Sequence, residues 1–199
     1  LMVKDDKPSE DKHPELHTLD EHLYISPAIA VAEANKAVAA MGRIAKANYA
    51  KAEYMIPMRD GMKLYTAVFA PKDKRTKHPV LFTRTPYGSH PYGKKQFDLC
   101  LKPIYENYLR AGYILVFQDV RGRFMSEGEY ENIRPVLGTT NEATDSYDTV
   151  DWLVNNIEGN NGRVGFYGCS YPGFYAMMAG INAHPAVKAI SPQAPVTDW

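Results

Sequence analysis

The run Gly162-Arg163-Val164-Gly165-Phe166-Tyr167-Gly168-Cys169-Ser170-Tyr171-Pro172-Gly173-Phe174 constrains this chain more than any other segment. It reads as a short buried strand, a sharp glycine-flanked turn with Ser170 at its apex, and the opening of a helix. Such a bend holds a hydroxyl clear of the backbone and close to a helix N-terminus. Ser170 is therefore the candidate nucleophile for attack on a carbonyl, and acyl transfer is the chemistry the segment points to. A serine held there only for the turn is the structural alternative.

The elements around this run alternate. Two strand-like stretches, 53–58 and 63–70, flank Arg59-Asp60-Gly61-Met62, and the Asp-Gly pair signals a hairpin. In the second stretch Tyr65, Ala67 and Phe69 share one face, with Leu64, Thr66 and Val68 on the other. Residues 79–83 and 113–118 read as strands covered on both faces. Helices are expected at 97–111, ending at Gly112, at 141–157, and at 172–183, with a last strand at 186–190. Strands alternating with helices imply right-handed crossovers and a mostly parallel sheet, opened by the antiparallel hairpin. The fold class is α/β, on the α/β-hydrolase plan. Residues 1–50 read as a polar leader (1–20) followed by an Ala-rich helical arm, and 51–199 as the sheet-bearing part.

A serine hydroxyl needs a base to take its proton and preorganised donors for the oxyanion. The backbone N–H after the nucleophile supplies one donor, which here belongs to Tyr171. The second comes from the loop after strand 79–83, Arg84-Thr85-Pro86-Tyr87-Gly88. Pro86 restricts its own φ and that of Thr85, so the Tyr87 side chain is aimed reproducibly. Tyr87 is either a phenolic oxyanion donor or a packing residue.

Other functions find little support. Lys plus Arg and Asp plus Glu number 23 each, so no global field recruits nucleic acid or an anionic membrane. The longest apolar runs are too short to span a bilayer. Cys100 and Cys169 are not expected to pair, and Cys169 is expected to be a small buried side chain. Asp119, Arg121 and Arg123 read as an ion-paired brace of their loop. Asp145, Asp148 and Asp151, three apart on one helix, read as a solvated face. His184 reads as a loop histidine, His13 and His17 as a solvated pair, and His22, His78 and His90 show no ligand spacing. No metal or cofactor is expected.

Four motifs then carry a family resemblance: Arg84-Thr85-Pro86-Tyr87; Gln118-Asp119-Val120-Arg121-Gly122-Arg123 with Ser126-Glu127-Gly128; 144–153, Thr-Asp-Ser-Tyr-Asp-Thr-Val-Asp-Trp-Leu; and Gly168-Cys169-Ser170-Tyr171-Pro172-Gly173. In this order the chain resembles the α-amino-acid ester hydrolases, a group placed with cocaine esterase, glutaryl acylase and the X-Pro dipeptidyl-peptidases. The resemblance covers roughly 52–199. It implies Ser170 as nucleophile, Tyr171 as backbone oxyanion donor and Tyr87 as side-chain oxyanion donor. In that family the triad acid and base, the helical cap and a C-terminal jelly roll follow later. After Ser170 this sequence holds only His184 and Asp198, in the wrong order, so it is expected to be the N-terminal portion of a longer enzyme. The implied activity is hydrolysis of small-molecule esters or amides with short, α-amino acyl groups. The alternatives are an X-Pro dipeptidyl-peptidase, a cocaine-esterase-like carboxylesterase, or a non-catalytic binding protein on the same fold. The arm is expected to wrap a neighbouring subunit of a homo-oligomer. Exported relatives and the absent start methionine favour the periplasm.

Overall fold

The computed structural model describes residues 45–132 and 138–197, together with 31, 32, 35, 36, 39 and 42. The Ala-rich stretch is helical at each of its described positions up to residue 48. The polar leader, most of the arm with its expected role in assembly, His13, His17, His22 and Asp198 lie outside the described residues.

Six strands form one sheet: β1 (Tyr49–Pro57), β2 (Lys63–Pro71), β3 (His78–Thr85), β4 (Ile114–Asp119), β5 (Asn160–Cys169) and β6 (Val187–Gln193). Their spatial order is β1-β2-β4-β3-β5-β6. β1 and β2 pair antiparallel in a regular hairpin, whose turn places Gly61 at φ 87°. β2 also runs antiparallel to β4, and every later pairing is parallel. This is the mixed sheet of an α/β fold, with each expected strand present; most are longer than expected, while β4 keeps the expected length, shifted by one residue.

Alternation along each strand feeds two cores. Leu64 and Val68 of β2, Val80 and Phe82 of β3, and Val164 and Phe166 of β5 pack beneath one pair of helices. These are α2 (Glu142–Asn156) and α3 (Tyr171–Met178), which contribute Val150, Leu153 and Ala176. Tyr65, Ala67, Phe69, Leu81, Leu115 and Phe117 face the other way, onto Phe97, Cys100, Tyr105 and Leu109. Leu109 belongs to α1 (Glu106–Arg110). Each large side chain buried in either core contributes about 1.5–3 kcal/mol, so both faces of the sheet are secured.

The helix read at 97–111 is broken. Two 3₁₀ turns, Asp98–Leu101 and Pro103–Tyr105, precede the short α1, because Pro103 has no N–H with which to continue a helical ladder. Its end matches expectation. Gly112, at φ 74°, lets the Tyr113 N–H return to the Tyr108 carbonyl (2.9 Å) and its own N–H reach Leu109 (3.2 Å). At the other end of the chain α3 stops at Met178, and residues 179–182 are turn. For α2, Asn141 accepts from the Ala143 and Thr144 amides, and the Thr144 hydroxyl accepts from the Asn141 N–H, closing a capping box.

The winding order positions the site. From β3 the chain crosses by α1 on one face to β4; from β4 it crosses by α2 on the opposite face, past β3, to β5. The loops leaving β3 and β5 therefore part in opposite directions. The opening between them lies at the carboxyl ends of the strands, where open α/β sheets place their ligands.

Candidate active site

β5 ends at Cys169, and α3 begins at Tyr171, leaving Ser170 alone to make the bend. Its backbone sits at φ 61°, ψ −121°, a region L-residues rarely occupy. The bend is pinned on both sides. The Ser170 N–H donates to the Gln193 carbonyl (2.9 Å) at the end of β6, and the Phe174 N–H donates to the Ser170 carbonyl (3.2 Å). Two glycines permit it: a Cβ on Gly168 would lie 2.0 Å from the Pro172 carbonyl oxygen, and one on Gly173 would lie 2.9 Å from that of Gln193. Strand and helix approach too closely for any other residue. Ser170 itself is solvent-exposed.

Cys169 is exposed as well, contrary to the expectation that it is buried. Side chains alternate across a strand, and Phe166 and Gly168 take the helix-covered face, so Cys169 is left on the other. It lines a cleft of about 600 Å³ that also includes Thr85, Tyr87, His90, Tyr105 and Tyr167. Both cysteines are free thiols, and burial pushes the Cys100 thiol up to about 12.

Tyr87 stands on the opposite lip, 58% exposed, its ring edge-on to that of Tyr171 at 6.3 Å between centroids. The sequence thus singled out two tyrosines, 84 positions apart, that the fold brings into contact. The loop carrying Tyr87 is fastened residue by residue. Thr85 Oγ1 accepts from the Tyr87 N–H (3.1 Å), and the Thr85 carbonyl accepts from the Val120 N–H (3.1 Å). Arg123 Nε donates to the Pro86 carbonyl (3.0 Å). Buried Asp119 accepts from the Ser89 N–H (2.5 Å) and the Tyr92 hydroxyl (3.0 Å), and its backbone carbonyl takes the Ser126 hydroxyl (2.6 Å). The segment 119–126 does brace the loop, but not by the expected ion pairing of Asp119 with Arg121 and Arg123: Asp119 is held by neutral donors, and Arg121 pairs with Asp60 and Asp145 instead.

Tyr171 opens α3, and first-turn amides have no acceptor within their own helix; such a group is suited to receive an oxyanion. Its ring is stacked on Tyr175 at 5.2 Å and 19°. Its hydroxyl accepts from Tyr130 (2.8 Å) and donates to Asn132 Oδ1 (2.9 Å) and to the Asn132 carbonyl. Burial, followed by the bond from Tyr130, holds the Tyr171 phenol well above its ordinary pKa, so it stays neutral. Tyr130 and Asn132 were invisible to sequence reasoning, because nothing in their spacing relates them to residue 171.

Beneath the site lies an ionic layer. Arg84, next to last in the buried strand β3, donates to Gln118 Oε1 (2.8 Å), to Glu142 Oε2 (2.8 Å) and to Ser146 Oγ (3.2 Å), and lies over the Tyr175 ring. Arg121 takes Asp145 through two bonds (2.6 and 3.0 Å) and reaches Asp60 at 2.7 Å. Asp145 is therefore fully buried, which corrects its reading as part of a solvated face; Asp151, at the far end of that row, is exposed as expected. Asp148 is chelated by Arg59 (2.7–3.2 Å), and Asp151 lies 3.4 Å from His184 Nε2. What covers the Asp145 end of that row came from segments distant in sequence. His184 also accepts from the Ala186 N–H and packs edge-on to Tyr147. Among the described residues no group of three or more His, Cys, Asp or Glu is disposed to hold a metal ion, and no helix is long and apolar enough to cross a membrane.

Comparison with known proteins places the fold in a family. A cocaine esterase from Rhodococcus sp. (strain MB1 Bresler) is 32% identical over 156 residues, 76% of this chain and 25% of its own length. The structure superposes on an α-amino acid ester hydrolase labelled with selenomethionine, with a TM-score of 0.70 and 42% identity, covering 76% of this chain and 26% of that one. It matches an aminopeptidase from a marine sediment archaeon, Thaumarchaeota archaeon, at TM-score 0.69 and 41% identity, with the same two coverages. The chain thus spans about a quarter of the length of these relatives. The model of the X-Pro dipeptidyl-peptidase (S15) family matches residues 60–199, and the chain belongs to that family.

Proposed function

We propose that this chain carries the nucleophile and both oxyanion donors of a serine hydrolase acting on esters or amides of short acyl groups. The observation that carries the reading is the backbone of Ser170: exposed, at φ 61°, and held by bonds on both sides between an interior strand and a helix N-terminus. Backbone strain of this kind clusters at active sites, where the surrounding structure holds it in place. In the proposed reaction the Ser170 oxygen bonds to the substrate carbonyl carbon as its proton passes to a histidine outside these 199 residues. The Tyr87 hydroxyl and the Tyr171 N–H receive the oxyanion. Collapse expels the alcohol or amine, which takes that proton, and water releases the acyl group by the reverse sequence. Treating the intact protein with a fluorophosphonate is expected to label Ser170. Full turnover by Ser170→Ala would overturn the assignment.

Amino-acyl donors are favoured, since two structural relatives above 40% identity are named as an α-amino acid ester hydrolase and an aminopeptidase. A carboxylesterase of the cocaine-esterase type is the second reading, on the 32% identity. Comparing p-nitrophenyl glycinate with its N-acetyl counterpart separates them. Preference for the free amine supports the first and indifference the second.

A further inference from the structure

Arg123 was read from sequence as part of a brace, but its partners are more specific than bracing requires. Its guanidinium has two engagements besides its own neighbour Phe124. Nε donates to the Pro86 carbonyl, the peptide group that leads directly into Tyr87, at 3.0 Å. The guanidinium plane also lies over the Tyr130 ring, 4.9 Å from its centroid. The Tyr130 hydroxyl in turn donates to that of Tyr171 at 2.8 Å. One side chain therefore joins the loop after β3 to the first residue of α3, and those carry the two oxyanion donors of the proposed site. The neighbouring loop position admits only glycine. Gly88, at φ 91°, would bring a Cβ to 3.2 Å from the Phe124 ring and 2.7 Å from His90.

We propose that Arg123 is a positioning residue that sets the separation of Tyr87 and Tyr171, acting through the Pro86 carbonyl on one side and Tyr130 on the other. The inference rests on the assignment of Tyr87 and Tyr171 as oxyanion donors. An oxyanion hole is useful only when its donors are preorganised around the position the oxygen will occupy, and misplacement by an ångström costs as much as about a hundredfold in rate. Arginine suits this task better than lysine, because its planar fork donates at the edge while its face stacks on an aromatic ring.

The test is a double-mutant cycle in the intact protein, with kcat and KM measured on a p-nitrophenyl ester. Arg123→Met keeps an unbranched stem and removes both engagements. It is expected to lower kcat on the order of tenfold with KM nearly unchanged, since only transition-state charge feels the displaced donors. On a Tyr87→Phe background the same change is expected to cost little further, because the donor it positions is already gone. A slowed Tyr87→Phe enzyme that loses the full factor again on adding Arg123→Met would overturn this inference and leave the oxyanion assignment standing. Unchanged kcat in Tyr87→Phe itself would overturn both. If Arg123→Met does not fold, Tyr130→Leu withdraws the ring beneath the guanidinium and carries the same expectation in the same cycle. Arg123→Lys, which restores a single donor without the stack, is expected to recover only part of the rate; recovery to the unsubstituted value would overturn the two-sided linkage.

Discussion

Replacing Ser170 by glycine is expected to make the protein more stable while abolishing its chemistry. At φ 61°, ψ −121° the residue occupies backbone space that costs a side-chain-bearing residue about 1–3 kcal/mol and costs glycine almost nothing. Glycine also loosens the unfolded chain, which returns about 0.5–1 kcal/mol in the other direction. The net is a gain of roughly 0.5–2 kcal/mol for Ser170→Gly over Ser170→Ala. Alanine is the proper reference: it removes the same hydroxyl and keeps the Cβ responsible for the strain. Ser170 is exposed, so neither change opens a cavity. Equilibrium urea unfolding of the two intact variants, followed by intrinsic fluorescence, reads the difference. With a slope of roughly 1–3 kcal/mol per molar urea, 1 kcal/mol moves the midpoint by about 0.3–1 M. Equal midpoints at equal slopes, or a less stable glycine variant, would refute the reasoning that strain is stored at this bend.

Tyr87→Phe should lower kcat on the order of a hundredfold with an unchanged melting temperature, since the exposed phenol has no packing role to lose; an unchanged rate returns Tyr87 to the surface. Asp145→Ala removes one of the two carboxylates on Arg121 and the farther of the two near Arg84, leaving buried donors unmet, and is expected to destabilise by about 1–3 kcal/mol in denaturant unfolding. Glu53 is pushed up by partial burial, but bonds from Tyr65, Lys51 and the Gly93 N–H outweigh that and hold its pKa below the ordinary carboxylate value. The folded state then binds this proton less readily than the unfolded chain. The stability Glu53 contributes is complete above about pH 4.5 and is lost as pH falls through its lowered folded value. Glu53→Gln should flatten that part of the stability–pH profile, and a profile identical to that of the unsubstituted protein would contradict the assignment.

Much of this molecule is legible from its residues taken in order. Period-two alternation in Leu64–Phe69 named both faces of β2 correctly, because a strand exposes its side chains to opposite layers whatever it pairs with. The glycines at 168 and 173 around Ser170 announced a bend that no bulkier sequence permits, and Gly112 announced the end of α1. Where reading failed, the deciding contact lay far along the chain. Asp145 looked solvated because the arginines that bury it arrive from β3 and from the loop after β4. Cys169 looked buried because its exposure depends on which face of β5 the helix covers, and sequence does not say.

By itself the sequence determined local geometry: strand and helix periods, the capping box at Asn141, the turn at Ser170, and the presence of a tyrosine on a proline-stiffened loop. These follow from backbone sterics and near-neighbour hydrogen bonds, which need no partner from elsewhere. Only the tertiary structure decided that β5 lies beside β3, with their outgoing connections turned to opposite faces, so that Tyr87 and Tyr171 meet at one opening. The same packing brought Arg123, Tyr130 and Asn132 around them. Such meetings depend on strand order and crossover direction, which are settled by burying two apolar faces at once, and no single segment carries that information.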